Sequence, residues 1–240
     1  MGGRLATMNA HDVPEAPDIQ VEVVRVFTDP AGKLGNALGI ARASDVVALD
    51  KQELAARLGY SETTVVGEPV DGAAEVRIYT PAVELPFAGH PTVGTGWWMA
   101  ARGTPVHTLN VPAGPVRVTE TDGLTWITAR AEWAPDFAFH QADSLDELAM
   151  ISAADYREGQ HYVWTWIDES RGSVRSRMFA PAMGIAEDEA TGAAAVALTA
   201  KLRRGLVITQ GQGSQLYTEW DSDGWVRLGG RVVEDHVVVL

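Results

Sequence analysis

One plan occurs twice in this chain, and that repetition restricts the fold more than any other feature. Each half reads as several short strands, then a helix entered through glycine and alanine, then more strands. The first such helix lies in "ELPFAGHPTVGTGWWMAARG", Glu84 to Gly103. It is predicted from Pro91 to Arg102, with Gly89 freeing the backbone, His90 at the cap position, Pro91 at the first helical position and Gly103 as the stop. The second lies in "AEDEATGAAAVALTAKLRRG", Ala186 to Gly205, and is predicted from Thr191 to Arg204 with Gly205 as the stop. Both have a polar approach, a glycine near the first turn and an apolar body. The plan predicts an α+β fold of two similar lobes that face each other across a cleft. Strands within each lobe should be mixed or antiparallel, because most connections are too short for helical crossovers.

The remaining elements fit that frame. "IQVEVVRVFT" alternates and is β-branched, a strand. "DPAGKLGN" is a turn-rich loop, and Asn36 begins a segment of small residues. "LDKQELAARLGY" is a helix capped by Asp50, with Glu53 completing a capping box and Gly59 ending it in a left-handed conformation. Ser144 and Glu147 form a similar box in "DSLDELAM". "WAPDFAF" breaks the strand pattern, which places a boundary near Trp133: an N-terminal lobe over 19–132 and a C-terminal lobe over 133–240. Three or four strands finish the chain, with "GWVRLGG" and "RVVEDHVVVL" read separately. The last of them can return to the N-terminal lobe. Residues 1–18 read as a polar, mobile tail without the apolar stretch of a signal peptide.

Composition narrows the partners. Net charge is −13 and no Lys/Arg cluster exists, so neither nucleic acid nor an anionic membrane surface is expected. No apolar run reaches the length of a membrane span, so the expected location is the cytoplasm. With no cysteine, disulfides and thiolate chemistry are ruled out. The six histidines lack ligand spacing, so no metal is expected, and no P-loop, dinucleotide fingerprint or nucleophile elbow calls for a cofactor.

Two bare helix entrances carry a chemical implication. A helix start exposes unpaired N–H groups and about half a positive charge, and small residues let a ligand approach them. If the entrances "AGHPTVGT" and "EATGAAAV" meet, Gly89, Thr191, Gly192 and Ala193 would present donors to one small anion, such as a carboxylate. Tight packing explains either entrance alone. Three side chains could supply chemistry. Glu62 opens a strand and could act as a general base, although local sequence alone favours an exposed surface glutamate. His90 could bind an anion or move a proton, or simply cap and pack. Asp188 could orient a substrate or act as a second acid, or serve only the helix dipole.

Taken together, "SETTVV", "RIYTPAVELPFAGHPTVGT", "RMFAPAMGIAEDEATGAAAVAL" and "ITQGQGSQLY...VRLGGRVV" resemble the PhzF-like proteins, the phenazine-biosynthesis isomerase family with the diaminopimelate epimerase-like fold. The resemblance implies two lobes, each with a helix wrapped by strands, and a homodimer. It implies Glu62 as acid/base, with His90 and Asp188 lining the cleft; Asn36 is expected among the substrate-binding residues. The chain departs from the family pattern at Glu189, where proline is usual, and at Ala193, where serine is usual; "QGQGSQLY" also lacks the usual Arg-Pro-Ser. Epimerases of similar shape use paired thiols, which this chain lacks. One carboxylate can still shift a proton between carbons, so the leading expectation is a cofactor-independent isomerase, with lobe closure raising the Glu62 pKa. A racemase using Glu62 and Asp188, and a small-carboxylate binding protein without turnover, stay open.

Overall fold

The computed structural model describes residues 19–240; the tail assigned to 1–18 lies outside them. From the start of this region, β1 (Gln20–Thr28) and β2 (Asn36–Arg42) form a hairpin, and α1 (Lys51–Leu58) leads to β3 (Glu62–Val66). Next come β4 (Ala73–Tyr79), the short β5 (Glu84–Leu85) and α2 (Gly89–Ala101). Then β6 (Thr108–Val111), β7 (Gly114–Thr121) and β8 (Leu124–Arg130) form a meander. Beyond it lie β9 (Ala138–Gln141), α3 (Leu145–Met150), β10 (His161–Asp168), β11 (Ser173–Ala180) and β12 (Ile185–Asp188). Helix α4 (Gly192–Leu202), β13 (Leu206–Gln210), β14 (Ser214–Trp220) and β15 (Trp225–Val239) complete the chain.

The strands form one mixed sheet that partly closes on itself. Its order runs β1-β2-β3-β4-β6-β7-β8-β15, and β15 pairs back onto β1, so these strands make a closed ring. Closure removes free edges and encloses α2, which packs against β1, β2, β3, β8 and β15. That location matches its sequence. From Gly89 to Gly96 every residue is buried, and Trp98 and Met99 follow; a helix that is apolar on all sides has no solvent face. From β15 the sheet continues through β14, β13, β11, β10 and β9, and α4 packs on β14 and β15. One continuous apolar core joins both parts, from Val24 and Val93 to Leu198 and Leu228.

Caps and stops follow the local sequence at α1 and depart from it at α2, α4 and β15. Asp50 accepts from the amides of Gln52 and Glu53, and Gly59 takes the left-handed conformation at φ 71°. Helix α2 starts at Gly89, so Ala88 is its N-cap and Pro91 its third residue; Pro still fits there, since the first-turn N–H groups have no helical acceptor. At the end of α4 the left-handed residue is Arg203, at φ 54°, rather than Gly205. "GWVRLGG" and "RVVEDHVVVL" are one strand, β15. The glycine pair that suggested a break serves close packing instead. A β-carbon on Gly229 would strike the Trp126 ring, and one on Gly230 the Phe27 ring.

Candidate active site

Helices α2 and α4 bring their N-termini together. A β-carbon on Gly89 would lie 2.8 Å from the Gly192 carbonyl carbon and 3.0 Å from the Ala193 nitrogen. One on Gly192 would lie 2.8 Å from the His90 nitrogen. The Leu228 side chain closes the floor beneath both. Only glycine permits this approach, which explains the bare entrances seen in sequence. Neither helix has a side-chain cap. In α2 the first amide to find a helical acceptor is that of Thr92, bonded to Ala88 O at 3.3 Å; in α4 it is that of Ala195, bonded to Thr191 O at 3.1 Å. The amides of Gly89, His90, Gly192, Ala193 and Ala194 precede those bonds and concentrate partial positive charge in one place. The Thr191 amide is different. It donates to the Gln210 side chain at 3.2 Å, so it is already engaged.

The acidic groups border this junction. Glu62 is the first residue of β3, held by parallel pairing with Leu38 of β2. Its Oε2 lies 3.0 Å from Nδ1 of His90, the second residue of α2. His90 is 3% exposed, and its Nε2 is buried without a protein partner. The Glu62 side chain remains 20% exposed, so solvent or a ligand can reach it. Burial alone would raise the Glu62 pKa. The His90 imidazole, by hydrogen bond and charge, with help from the Ser61 hydroxyl, brings it below its ordinary value. In this structure the contact with His90 outweighs burial, a shift opposite in direction to the rise expected on lobe closure.

Asp188 carries the upward shift instead. It ends β12 and accepts from Asn36 Nδ2 at 2.8 Å and from the Thr191 hydroxyl at 2.5 Å. Burial, then the charge of Glu62, push its pKa up to about 6 against the stabilising hydrogen bonds. The site therefore pairs an ionised carboxylate with a carboxyl that holds its proton in mildly acidic solution. Asn36 is the first residue of β2, and its amide also donates to Ala190 O at 3.2 Å. Ala193 is 7% exposed, and its methyl can neither donate nor accept a hydrogen bond.

Sequence reasoning missed Gln210. This buried side chain accepts from the Thr191 amide and the Tyr162 hydroxyl, and donates to Asp188 O and Thr191 Oγ1. It is fully satisfied and fixes the entry to α4. Its only sequence signal was its place beside a Gly-rich turn. Among the described residues, no group of three or more His, Asp or Glu side chains is arranged to hold a metal ion.

Residues 24–155 and 135–228 match the PhzC-PhzF family, described as phenazine biosynthesis-like protein. The chain belongs to this family. It is 32% identical over 207 residues to the trans-2,3-dihydro-3-hydroxyanthranilate isomerase of Pseudomonas chlororaphis, an alignment covering 71% of this chain and 74% of that protein. In structure it resembles a PhzF-family phenazine biosynthesis protein of Bacillus anthracis, with TM-score 0.73 and 20% identity over 93% of this chain and 99% of that one. A predicted epimerase of Pseudomonas aeruginosa is similar at TM-score 0.67 and 21% identity, covering 92% and 99%. The PhzC-PhzF fold therefore accommodates proteins described as isomerases and epimerases alike.

Proposed function

We propose that the chain is a cofactor-independent isomerase that moves a proton between carbons of a small carboxylic acid. The observation that carries this reading is the Glu62–His90 contact beside two converging helix N-termini. Glu62 is partly exposed, is held below its ordinary pKa by His90, and contacts the start of α2 where the unbonded first-turn amides of α2 and α4 converge, an arrangement suited to a carbon acid. The carboxylate removes a proton from a carbon conjugated to the substrate carboxylate. The released electron pair moves into that conjugated system, and the amides of Gly89, His90, Gly192 and Ala193 stabilise the charge that develops. Glu62 then returns the proton to a second carbon, so no atom is gained or lost. His90 keeps Glu62 ionised before the transfer, and Asp188, held by Asn36 and Thr191, orients the substrate, donating a hydrogen bond to it only below about pH 6. The parts of the sheet carrying α2 and α4 act as two lobes that close on the substrate, and the working unit is a homodimer.

The relatives' name makes trans-2,3-dihydro-3-hydroxyanthranilate the first substrate to test. Glu62→Gln keeps shape and removes basicity. Turnover, followed by NMR, should drop by about 10³-fold, within the range for losing a positioned base. Retention of turnover within a few-fold would remove Glu62 from the mechanism. The contrasting ionisation of Glu62 and Asp188 also favours a second reading, a racemase with one base and one acid. In D₂O, inversion with solvent deuterium at a stereocentre would identify it, whereas transfer without inversion identifies the isomerase.

A further inference from the structure

Two of the three departures of this chain from the motifs it resembles touch each other. Glu189 stands where proline is usual, and its carboxylate accepts from the Gln212 amide at 3.1 and 3.0 Å and from the Ser214 hydroxyl at 2.6 Å. Gln212 and Ser214 belong to "QGQGSQ", which stands where the family's Arg-Pro-Ser is missing. Ser214 is fully buried, and its Oγ accepts from the Gly35 amide at 2.9 Å. Gly35 takes φ 80° and immediately precedes Asn36, whose amide bonds Asp188. The chain therefore crosses between the same two segments twice: once from Asn36 to Asp188, and once from Gly35 through Ser214 to Glu189.

We propose that Glu189 and Ser214 form a latch that holds the Gly35–Asn36 corner in place, making both positioning residues for Asp188. A proline at 189 could accept none of these bonds. The turn is shaped for the glutamate: a β-carbon on Gly211, at φ 58°, would strike the Glu189 carboxylate. Arg175 supports the other side of the turn, donating to the carbonyls of Thr209 at 3.0 Å, Ser176 at 2.7 Å and Gly211. The latch acts through geometry. Without it, Asn36 is free to swing from Asp188, and the carboxylate loses one of its two side-chain donors. The catalytic consequence rests on the reading of Asp188 as the cleft acid; the latch itself does not.

The test holds charge constant and needs no substrate. In full-length protein labelled with ¹³C, the Asp188 carboxyl is assigned by comparison with Asp188→Asn and titrated by NMR. The titratable groups facing it are Glu62, His90 and the buried Tyr162 hydroxyl, while Arg177 is engaged by Glu187 at 2.6 Å. Ser214→Ala removes the relay hydroxyl. Glu189→Asp keeps the charge but shortens the reach, and it covers the case in which Ser214→Ala does not fold. Each should raise the Asp188 midpoint by about one pH unit, the value of a hydrogen bond to a charged group. Each should also speed Gly35 amide exchange about fivefold to tenfold. Ser214→Thr, which retains a hydroxyl, should restore both. An unmoved Asp188 midpoint in Ser214→Ala, or in Glu189→Asp if the former is unfolded, overturns the latch whatever the enzyme's substrate proves to be.

Discussion

Asp188→Asn should remove a pH dependence of stability opposite in direction to that of carboxylates held ionised by salt bridges. In the folded chain the Asp188 pKa is raised from 3.8 to about 6, so between those values the native state binds more protons than the unfolded state. Stability then falls as pH rises. The contribution is fully present below pH 3.8 and is lost as pH passes 6. About two pH units at about 1.4 kcal/mol each give about 3 kcal/mol, and partial solvent contact reduces this to about 2 kcal/mol. Asparagine cannot ionise, so the variant escapes the loss. It forfeits about 1 kcal/mol of hydrogen bonding, because its NH₂ cannot accept from the Thr191 hydroxyl as the carboxylate does. Relative to wild type, the variant should be about 1 kcal/mol less stable at pH 4 and about 1 kcal/mol more stable at pH 7.5. Urea unfolding followed by tryptophan fluorescence across that range measures both ends. The low Glu62 pKa acts in the opposite sense below pH 4.5 and largely cancels in the difference. Parallel curves for the two proteins would refute the raised Asp188 pKa, and with it the assignment of this residue as the cleft acid.

Three other outcomes follow from the same geometry. Gly192→Ala places a methyl 2.8 Å from the His90 nitrogen and 2.9 Å from the Gly89 carbonyl carbon, so it should cost about 1–3 kcal/mol in urea unfolding and abolish turnover. His90→Ala removes the group that holds Glu62 low; burial then dominates, and the acidic limb of the pH–rate profile should move to higher pH. Gln210→Leu leaves the Thr191 amide and the buried Tyr162 hydroxyl each one partner short, and should lower stability by about 2–4 kcal/mol in the same unfolding assay.

Much of this protein could be read from its sequence because the relevant physics is local. Asp50 ahead of the amphipathic segment "KQELAARL" announces a cap, Gly59 a left-handed stop, and alternation in "IQVEVVRVFT" a strand. The scarcity of bulk at Gly89 and Gly192 signals that something comes close to the backbone. Where local signals failed, tertiary contacts had replaced them. Gly229 and Gly230 looked like a break but make room for Trp126 and Phe27, aromatic rings from β8 and β1, the two strands paired with β15 and far from it in sequence.

Sequence alone determined that two small-residue helix starts exist, that no thiol can take part in the chemistry, and that Glu62, His90 and Asp188 stand near element ends. Only the tertiary structure decided which groups meet. Glu62 and His90 are 28 residues apart, and Asn36 and Asp188 are 152 apart. Strand register sets those meetings, because side chains alternate with a period of two and a slip of one residue between β2 and β3 would turn Glu62 away from His90. Ionisation was decided the same way: the neighbours brought by folding set the competition between burial and partners that lowers the Glu62 pKa and raises that of Asp188.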